Sequence, residues 1–390
     1  MSLQWSLEEC SKSINHKNVL ECLILDGLIS SELIPPHYVP YSELSLPVDH
    51  KCALSIASKL VCRLFRMASS TDDDVLKRHV NELRSSIRHC PPESLIVKVG
   101  HTIKTHKPVG KLAARLLHRA HSHVFQGFSV LLSRWLDIHL GELAHLCKDT
   151  TAAQNALCTS RIGPLSVFVK IDIAKFFLAG THEALSKACA APFDGEKRSI
   201  VRDMVEMLLH FQFVAYKDAL FKTSAGSGMG ARHSGAIANW AFYFLVEKTF
   251  IHQQEKWGMI SYLRFFDDIL LVFKTPKRAR SFVEFFHGAA APHYKLEVEE
   301  VSMYQVAFLD LCVFRNVDGH LHRIGWKPFV KESACHLPLH QSSCHAPAIH
   351  RSWLRAEVSR MHLRSQHMTS FHHFKELKLQ RWEYFSCAQI

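Results

Sequence analysis

The chain has 390 residues, 47% hydrophobic and 21% charged, a balance that excludes a disordered polypeptide and leaves room for two or three sub-domains. No apolar run approaches the roughly 18 residues of a membrane span, and twelve cysteines without one CxxC pair argue against a disulfide framework. Lys and Arg number 47 against 36 Asp and Glu, a formal charge of +11 and a pI near 9.1, which suits a polyanion such as a nucleic-acid backbone.

The start, MSLQWSLEECSKSINHK, has no basic segment leading into an apolar one, so no secretory leader is expected and an intracellular chain is. Residues 1–92 read as an N-terminal helical region. In DDDVLKRHVNELRSSIRHC, Leu76, Val80, Leu83 and Ile87 recur at helical spacing, and the leading acids suit a helix N-terminus. Pro91 and Pro92 close that segment. Between Ser94 and Leu136 there is no acid, yet the stretch carries Lys98, Lys104, Lys107, Lys111, Arg115, Arg119 and Arg134, with a KPVGK turn signal at 107–111. Residues 161–315 alternate strand-like and helix-like pieces. From Asn316 onward ten Lys and Arg face five acids, ten histidines join them, and the pattern is mostly helical. No internal repeat separates these regions, which are expected to be lobes of one body.

Three stretches carry chemistry. VFVKIDIAKFF (167–177) alternates Val167, Val169 and Ile171 with Phe168, Lys170 and Asp172, which predicts a strand ending at Asp172. Thr181 then caps a predicted helix through EALSKACA. GSGMGARHSGAIANWAFYFLVE (226–247) sets Gly226, Gly228, Gly230 and Gly235 around a helix start near Ser234, whose apolar face is Ile237, Trp240, Ala241, Phe244 and Leu245. Such a loop lets a ligand approach the backbone, or merely connects; it is no P-loop, because no GK[ST] follows. YLRFFDDILLVF (262–273) sets Asp267 and Asp268 between two strand-like runs. Strand neighbours point to opposite faces, so this pair can address one site only at a hairpin tip; taken alone, an ordinary Asp turn reads as well. Three converging carboxylates can hold two Mg²⁺ ions, or Mn²⁺ in their place, which activate an attacking oxygen and stabilise a leaving one in phosphoryl transfer.

That order resembles the palm of reverse transcriptases. VKIDIAKFF is similar to their first catalytic-aspartate motif, GSGMGARHSGAIAN to GxxMGxxxSPxxAN, and RFFDDIL to the xxDD box. Further segments resemble the Penelope-like retroelement branch, which is akin to telomerase. IKTHKPVGKLAARLLH (103–118) is similar to its KxHKPxG…R fingers stretch, VAFLDLCVF (306–314) to FLDLxV, and HLPLHQSSCHAPAIHRSWLRAEVSR (336–360) to its thumb region. The resemblance implies an α+β right-hand polymerase fold: fingers at 93–160, a palm of antiparallel sheet plus helices at 161–315, and a basic helical thumb at 316–390. It also implies an RNA-directed DNA polymerase extending a DNA or RNA primer 3′-OH with dNTPs on an RNA template, with no membrane partner.

Position by position, the resemblance implies that Asp172, Asp267 and Asp268 bind the metals. Phe177 falls where the family keeps an aromatic that rejects a ribose 2′-OH. Lys107 and Arg115 match residues that hold the triphosphate, with Lys104 competing for the role of Lys107. Gly226, Gly228, Met229, Gly230 and Asn239 lie in the motif that supports the template and new base pair, and Phe265 and Phe266 in the box packed near the primer. Lys295, in YKLEVEE, is the implied general acid for pyrophosphate release; a solvated strand lysine reads nearly as well.

Some positions depart from the family. Phe265 replaces the usual Tyr, Ser234–Gly235 the usual Ser-Pro, no Gln lies near Thr223, and HLP replaces YLP. A catalytically decayed nucleic-acid-binding derivative is therefore the alternative. A two-metal nuclease is a third reading, in which Phe177 and the fingers basics have no purpose. Cys335, His336, His340, Cys344 and His345 fit no regular zinc spacing, and His345 falls on the thumb motif. His118, His121 and His123 are expected to face RNA or solvent. TPKRARS (275–281) is a nuclear-import candidate.

Overall fold

In the computed structural model of the chain, residues 37–88, 90–103, 114–216, 219–318, 321–329 and 346–376 are described. Helices α1 (Leu46–Ser69) and α2 (Asp74–Ser86) follow one another. The second starts where Asp73 accepts the Leu76 N–H at 2.9 Å, and it buries Leu76, Val80 and Leu83 as their spacing predicts. The expected all-helical start is corrected at β1 (Tyr38–Tyr41), a strand paired with β6 (Ala219–Thr223). The first sheet runs β1, β6, β5 (Phe213–Tyr216), β2 (Ile96–Ile103), β3 (Ala114–Arg119), and only β2–β5 is parallel. Its strands come from both sides of the expected boundary at residue 160. Phe213 and Leu220 share one buried core with α1, α2, α3 (Gln126–Gly141), α5 (His182–Ala190), α6 (Gly195–His210) and α7 (Ser234–Leu245).

The second sheet carries the acids. Its order is β7 (Met259–Phe265), β8 (Asp268–Phe273), β4 (Val167–Ala174), β9 (Lys295–Ser302), antiparallel throughout. One face sets Val169, Ile171, Leu271 and Phe273 against α7 and α8 (Pro276–Ala290). The other packs Phe168, Leu263 and Val272 against α4 (Thr150–Cys158) and a three-stranded sheet of β10 (Gln305–Phe308), β11 (Leu311–Asp318) and β12 (Leu321–Pro328). Each such buried Phe or Leu contributes roughly 2 kcal/mol.

Strand β12 interrupts the region after residue 316 that was expected to be mostly helical, and β11 crosses the expected boundary at 315. Helix α9 (Pro347–Leu363) and a helical stretch at 368–376 follow, helical as expected. Arg360 and Arg364 tie α9 down by donating to Asp310 Oδ2 at 3.2 and 3.1 Å. The architecture mixes helix and sheet, as the fold class predicted. No helix among the described residues is long and apolar enough to cross a membrane.

Candidate functional site

Alternation along β4 sends Val167, Val169, Ile171 and Ile173 to the helix-packed face and Phe168, Lys170 and Asp172 to the other. At its end Asp172 stands opposite Asp268 on one side and Glu297 on the other, and Asp268 stands opposite Phe265. Cross-strand partners share a face, so Phe265, Asp268, Asp172 and Glu297 form one row across the sheet. The turn between β7 and β8 is Phe266 and Asp267, and the Ile173 N–H donates to the Asp267 carbonyl at 2.9 Å. The aspartate pair therefore sits at a hairpin tip and beside Asp172, which is what alternation demanded of two consecutive acids with one target.

Crowded acids raise their own proton affinity. The Asp172 carboxyl is pushed up to about 6, first by burial and then by Asp267, Glu299, Asp268 and Glu297. Burial also raises Asp268, against the pull of Lys170. Lys170 Nζ lies 3.6 Å from Asp268 Oδ1 and 2.9 Å from Glu299 Oε2. A bulge between Lys170 and Ile171 leaves Glu299 as the extra residue of β9, which brings it to the lysine. Asp268 Oδ2 accepts the Leu309 N–H at 3.4 Å, and Oδ1 is buried without a hydrogen-bond partner. Hard carboxylate oxygens, one of them buried and unsatisfied, are the donor chemistry of Mg²⁺ or Mn²⁺. Among the described residues, however, no three Asp, Glu, His or Cys side chains stand close enough as they are to hold a metal ion.

Phe266 adopts a left-handed backbone, φ 51°, at a cost of roughly 1–2 kcal/mol for a residue with a Cβ. Its ring centroid lies 5.9 Å from that of Phe177 and 5.0 Å from that of Phe265. Phe177 thus borders the tip. Its carbonyl accepts the Ser227 and Gly228 N–H groups at 2.8 and 3.0 Å, so the glycine loop is pinned to the segment following Asp172. At Gly226, φ 71°, a Cβ would meet Leu178 Cα at 2.3 Å. At Gly228 and Gly230 the close neighbour is His118, whose N–H donates to the Met229 carbonyl at 2.7 Å. The close approach these glycines permit is therefore taken by the protein's own groups.

His118 is buried, with ring nitrogens 2.6 Å from Tyr38 Oη and 2.7 Å from Gln212 Nε2, and His123 is buried as well. That corrects the expectation of RNA-facing or surface rings: His118, at the end of β3, lies under the glycine loop, and His123 packs beyond that strand beside Phe125. Burial lowers both to about 4, which keeps neutral imidazoles inside. His121 is exposed.

Behind the tip lies a charged pair that the sequence reading missed. Arg264 and Glu247 are both fully buried and joined at 2.7 Å (Nε–Oε1) and 2.9 Å (Nη2–Oε2). Tyr262 Oη donates to Glu247 Oε1 at 2.5 Å, and His145 Nε2 lies 3.1 Å from Oε2. Burial alone would lift the Glu247 carboxyl; Arg264 and His145 hold it well below its usual range. Arg264 also donates to Asn239 Oδ1 at 2.7 Å and to the Phe266 carbonyl at 3.1 Å, bracing the left-handed residue of the tip. Asn239, predicted as a template or primer contact, is thus committed to Arg264. A signal existed: alternation puts Arg264 on the core face with Tyr262, where a guanidinium requires an acid.

Lys295 opens β9 opposite Ala174, one step beyond the acid row on the same face. It is exposed and ion-paired with Glu297 at 2.7 Å. Of Arg115 the backbone is described, opposite Thr102 in the β2–β3 pair. Lys104, Lys107 and the Cys335–His345 cluster lie outside the described residues.

The chain matches no protein-family model and no curated protein. Among solved structures it is similar to telomerase from Candida tropicalis in complex with a TWJ fragment of telomeric RNA, at 12% identity over 56% of this chain and 43% of that one, TM-score 0.45. It is also similar to apo telomerase from Candida tropicalis (14% identity, 60% and 52% covered, TM-score 0.46). A third is telomerase from Candida albicans with a TWJ fragment of telomeric RNA (11% identity, 69% and 50% covered, TM-score 0.44). The chain spans about half the length of these structures. A likeness of this depth is one of partial shape and says nothing of activity.

Proposed function

We propose that the chain is an RNA-directed DNA polymerase of the Penelope-like reverse-transcriptase kind, joining dNTPs to a primer 3′-OH on an RNA template. The observation that supports this most is the Asp172–Asp268 pairing across β4 and β8, with Asp267 in the adjoining turn. Residues far apart in sequence form a single half-buried acid row, with Lys170 beside Asp268 and Lys295 beside Glu297. In this reading Asp172, Asp267 and Asp268 would hold two Mg²⁺ ions, or Mn²⁺, which when bound polarise the attacking and leaving oxygens. Phe177, beside Phe266, would border the incoming sugar and exclude a 2′-OH. Lys104, Lys107 and Arg115 would neutralise the triphosphate, and Lys295 would donate a proton to the leaving pyrophosphate. Pinned to Phe177 and His118, the Gly226–Gly230 loop would offer the template a fixed surface, with Phe265 and Phe266 beside the primer. Work on nuclear DNA would fit the TPKRARS segment.

Primer extension on an RNA template tests this directly. Wild-type extension with Mg²⁺ or Mn²⁺, reduced at least about a hundredfold in Asp267→Asn, is expected; no wild-type extension, or equal extension by the variant, overturns it. One observation favours the second reading, a derivative that binds nucleic acid without turnover: Lys170 already stands by Asp268, and no three ligands converge as they are among the described residues. Salt-sensitive RNA binding without incorporation selects that reading.

A further inference from the structure

We propose that the groove between α1 and the α5–α6 pair is a second nucleotide site, taking a nucleoside phosphate either free or as one unit of a single strand. None of its lining belongs to the acid row, so it stands whether or not that row polymerises. The groove holds about 640 Å³, within the range of small-molecule sites. Its floor is apolar, built from Ile56 and Leu60 of α1 with Met207 and Phe211.

Charges of both signs ring that floor, and each of its acids already has a partner. Asp203 takes Arg63 at 2.6 Å, Glu206 takes Arg202 at 3.0 Å and the Ser186 hydroxyl at 3.1 Å, and Glu183 takes Lys187 at 2.6 Å. On the other side, Lys59, His182 and His210 form no ion pair among the described residues. Lys222, behind His210, donates to His210 Nε2 at 3.1 Å instead of to a carboxylate. Asp49, the acid whose charge acts on both, is bonded to the Tyr41 hydroxyl. His182 Nε2 is buried with no hydrogen-bond partner.

Lys222 therefore rests on the His210 imidazole and the Phe213 ring, and Lys59 is unpaired, so two ammonium groups beside the groove have no carboxylate of their own among the described residues. Burial, with His210 and Lys222 nearby, pushes His182 down to about 4, so the ring is a neutral one with a free Nε2. A phosphate gives Lys59 and Lys222 a counter-ion and the His182 Nε2 a partner, and a base covers the apolar floor. Asp203 Oδ1 and Glu206 Oε2, which accept no hydrogen bond among the described residues, suit sugar hydroxyls or base amino groups. A fatty acid would leave those acceptors unused.

Cys52 is a free, exposed thiol on the α1 wall of the groove and reports its occupancy. The test is peptide-resolved alkylation of the full chain by N-ethylmaleimide, with AMP and a short 5′-phosphorylated single strand as separate probes and inorganic phosphate as control. At about ten times its Kd a probe leaves about a tenth of the groove empty, so Cys52 reacts about tenfold more slowly. Cys62 and Cys158, exposed and outside the groove, keep their rates. Protection by AMP identifies a free nucleotide as the ligand; protection by the strand alone identifies a chain. Lys59→Met combined with Lys222→Met abolishes protection and leaves the unprotected rate of Cys52 unchanged. Unchanged Cys52 reactivity with both probes, equal slowing of Cys62 and Cys158, protection that phosphate alone reproduces, or protection that survives in the double variant overturns the proposal.

Discussion

The β7–β8 hairpin separates two groups of charges that the fold treats in opposite ways. Behind the tip, Arg264 and Glu247 are shut off from solvent, and Tyr262, His145 and Asn239 complete their hydrogen bonds. In front of it, Asp172, Asp267, Asp268 and Glu297 stay half-open, with Lys170 beside Asp268, the exposed Lys295 beside Glu297 and one Asp268 oxygen left without a hydrogen bond. A finished network of charges holds a shape. An unfinished one stores repulsion that an incoming cation relieves, and such clusters gather at functional sites.

The largest expected effect breaks the finished network. Glu247→Leu strands a buried guanidinium and costs about 3–5 kcal/mol in urea unfolding; a loss below about 1 kcal/mol would mean that the pair does not hold the hairpin. Smaller and opposite in sign is Asp172→Asn. With its carboxyl at about 6 in the fold against 3.8 in the free chain, the folded state binds the proton more tightly. Stability is therefore shed as pH rises from about 4 to about 6 and stays lower above that. Removing the acid should stabilise the protein by about 1 kcal/mol near neutral pH, after allowing for solvent screening, and by nothing below about pH 4. An unchanged pH profile of unfolding would show that the row is not strained.

Lys170→Met sharpens the comparison from the other side. Loss of this half-buried cation leaves Asp268 and Glu299 facing their neighbours alone, for a cost of about 1 kcal/mol near neutrality that vanishes once the carboxyls protonate; denaturation at both ends of that pH range reads it. The smallest effect belongs to Lys295→Met. Its ion pair with Glu297 is exposed, so stability stays within about 0.5 kcal/mol, and any larger loss would show that Lys295 does more than its setting suggests.

Sequence made the tip legible because strand alternation fixes faces locally. Val169 and Ile171 inward, Asp172 outward, and two acids at a break in alternation located the row before any contact was known. The Thr181 cap, which accepts the Ala184 N–H at 3.2 Å, and the start of α7 at Ser234 were readable for the same local reason. Partners across space were not. Nothing near Arg264 announces Glu247 as its acid, and nothing in ARLLHR says that His118 lies beneath a glycine loop. Strand β1 was too short to show a period, and its Pro40 fits the sheet edge it occupies. In β12 a signal went unread: Ile324, Gly325 and Trp326 are buried and the charged residues that flank them, Arg323 and Lys327, are exposed.

The sheet that pairs β1 and β2 with β6 and β5 has a practical corollary for anyone wishing to trim the protein. An excised 161–315 piece would lose both of those neighbours, along with the His145 bonded to Glu247, and would present raw strand edges to solvent. Aggregation, not a minimal working unit, is what such a fragment invites; a version that keeps this sheet whole begins no later than Tyr38.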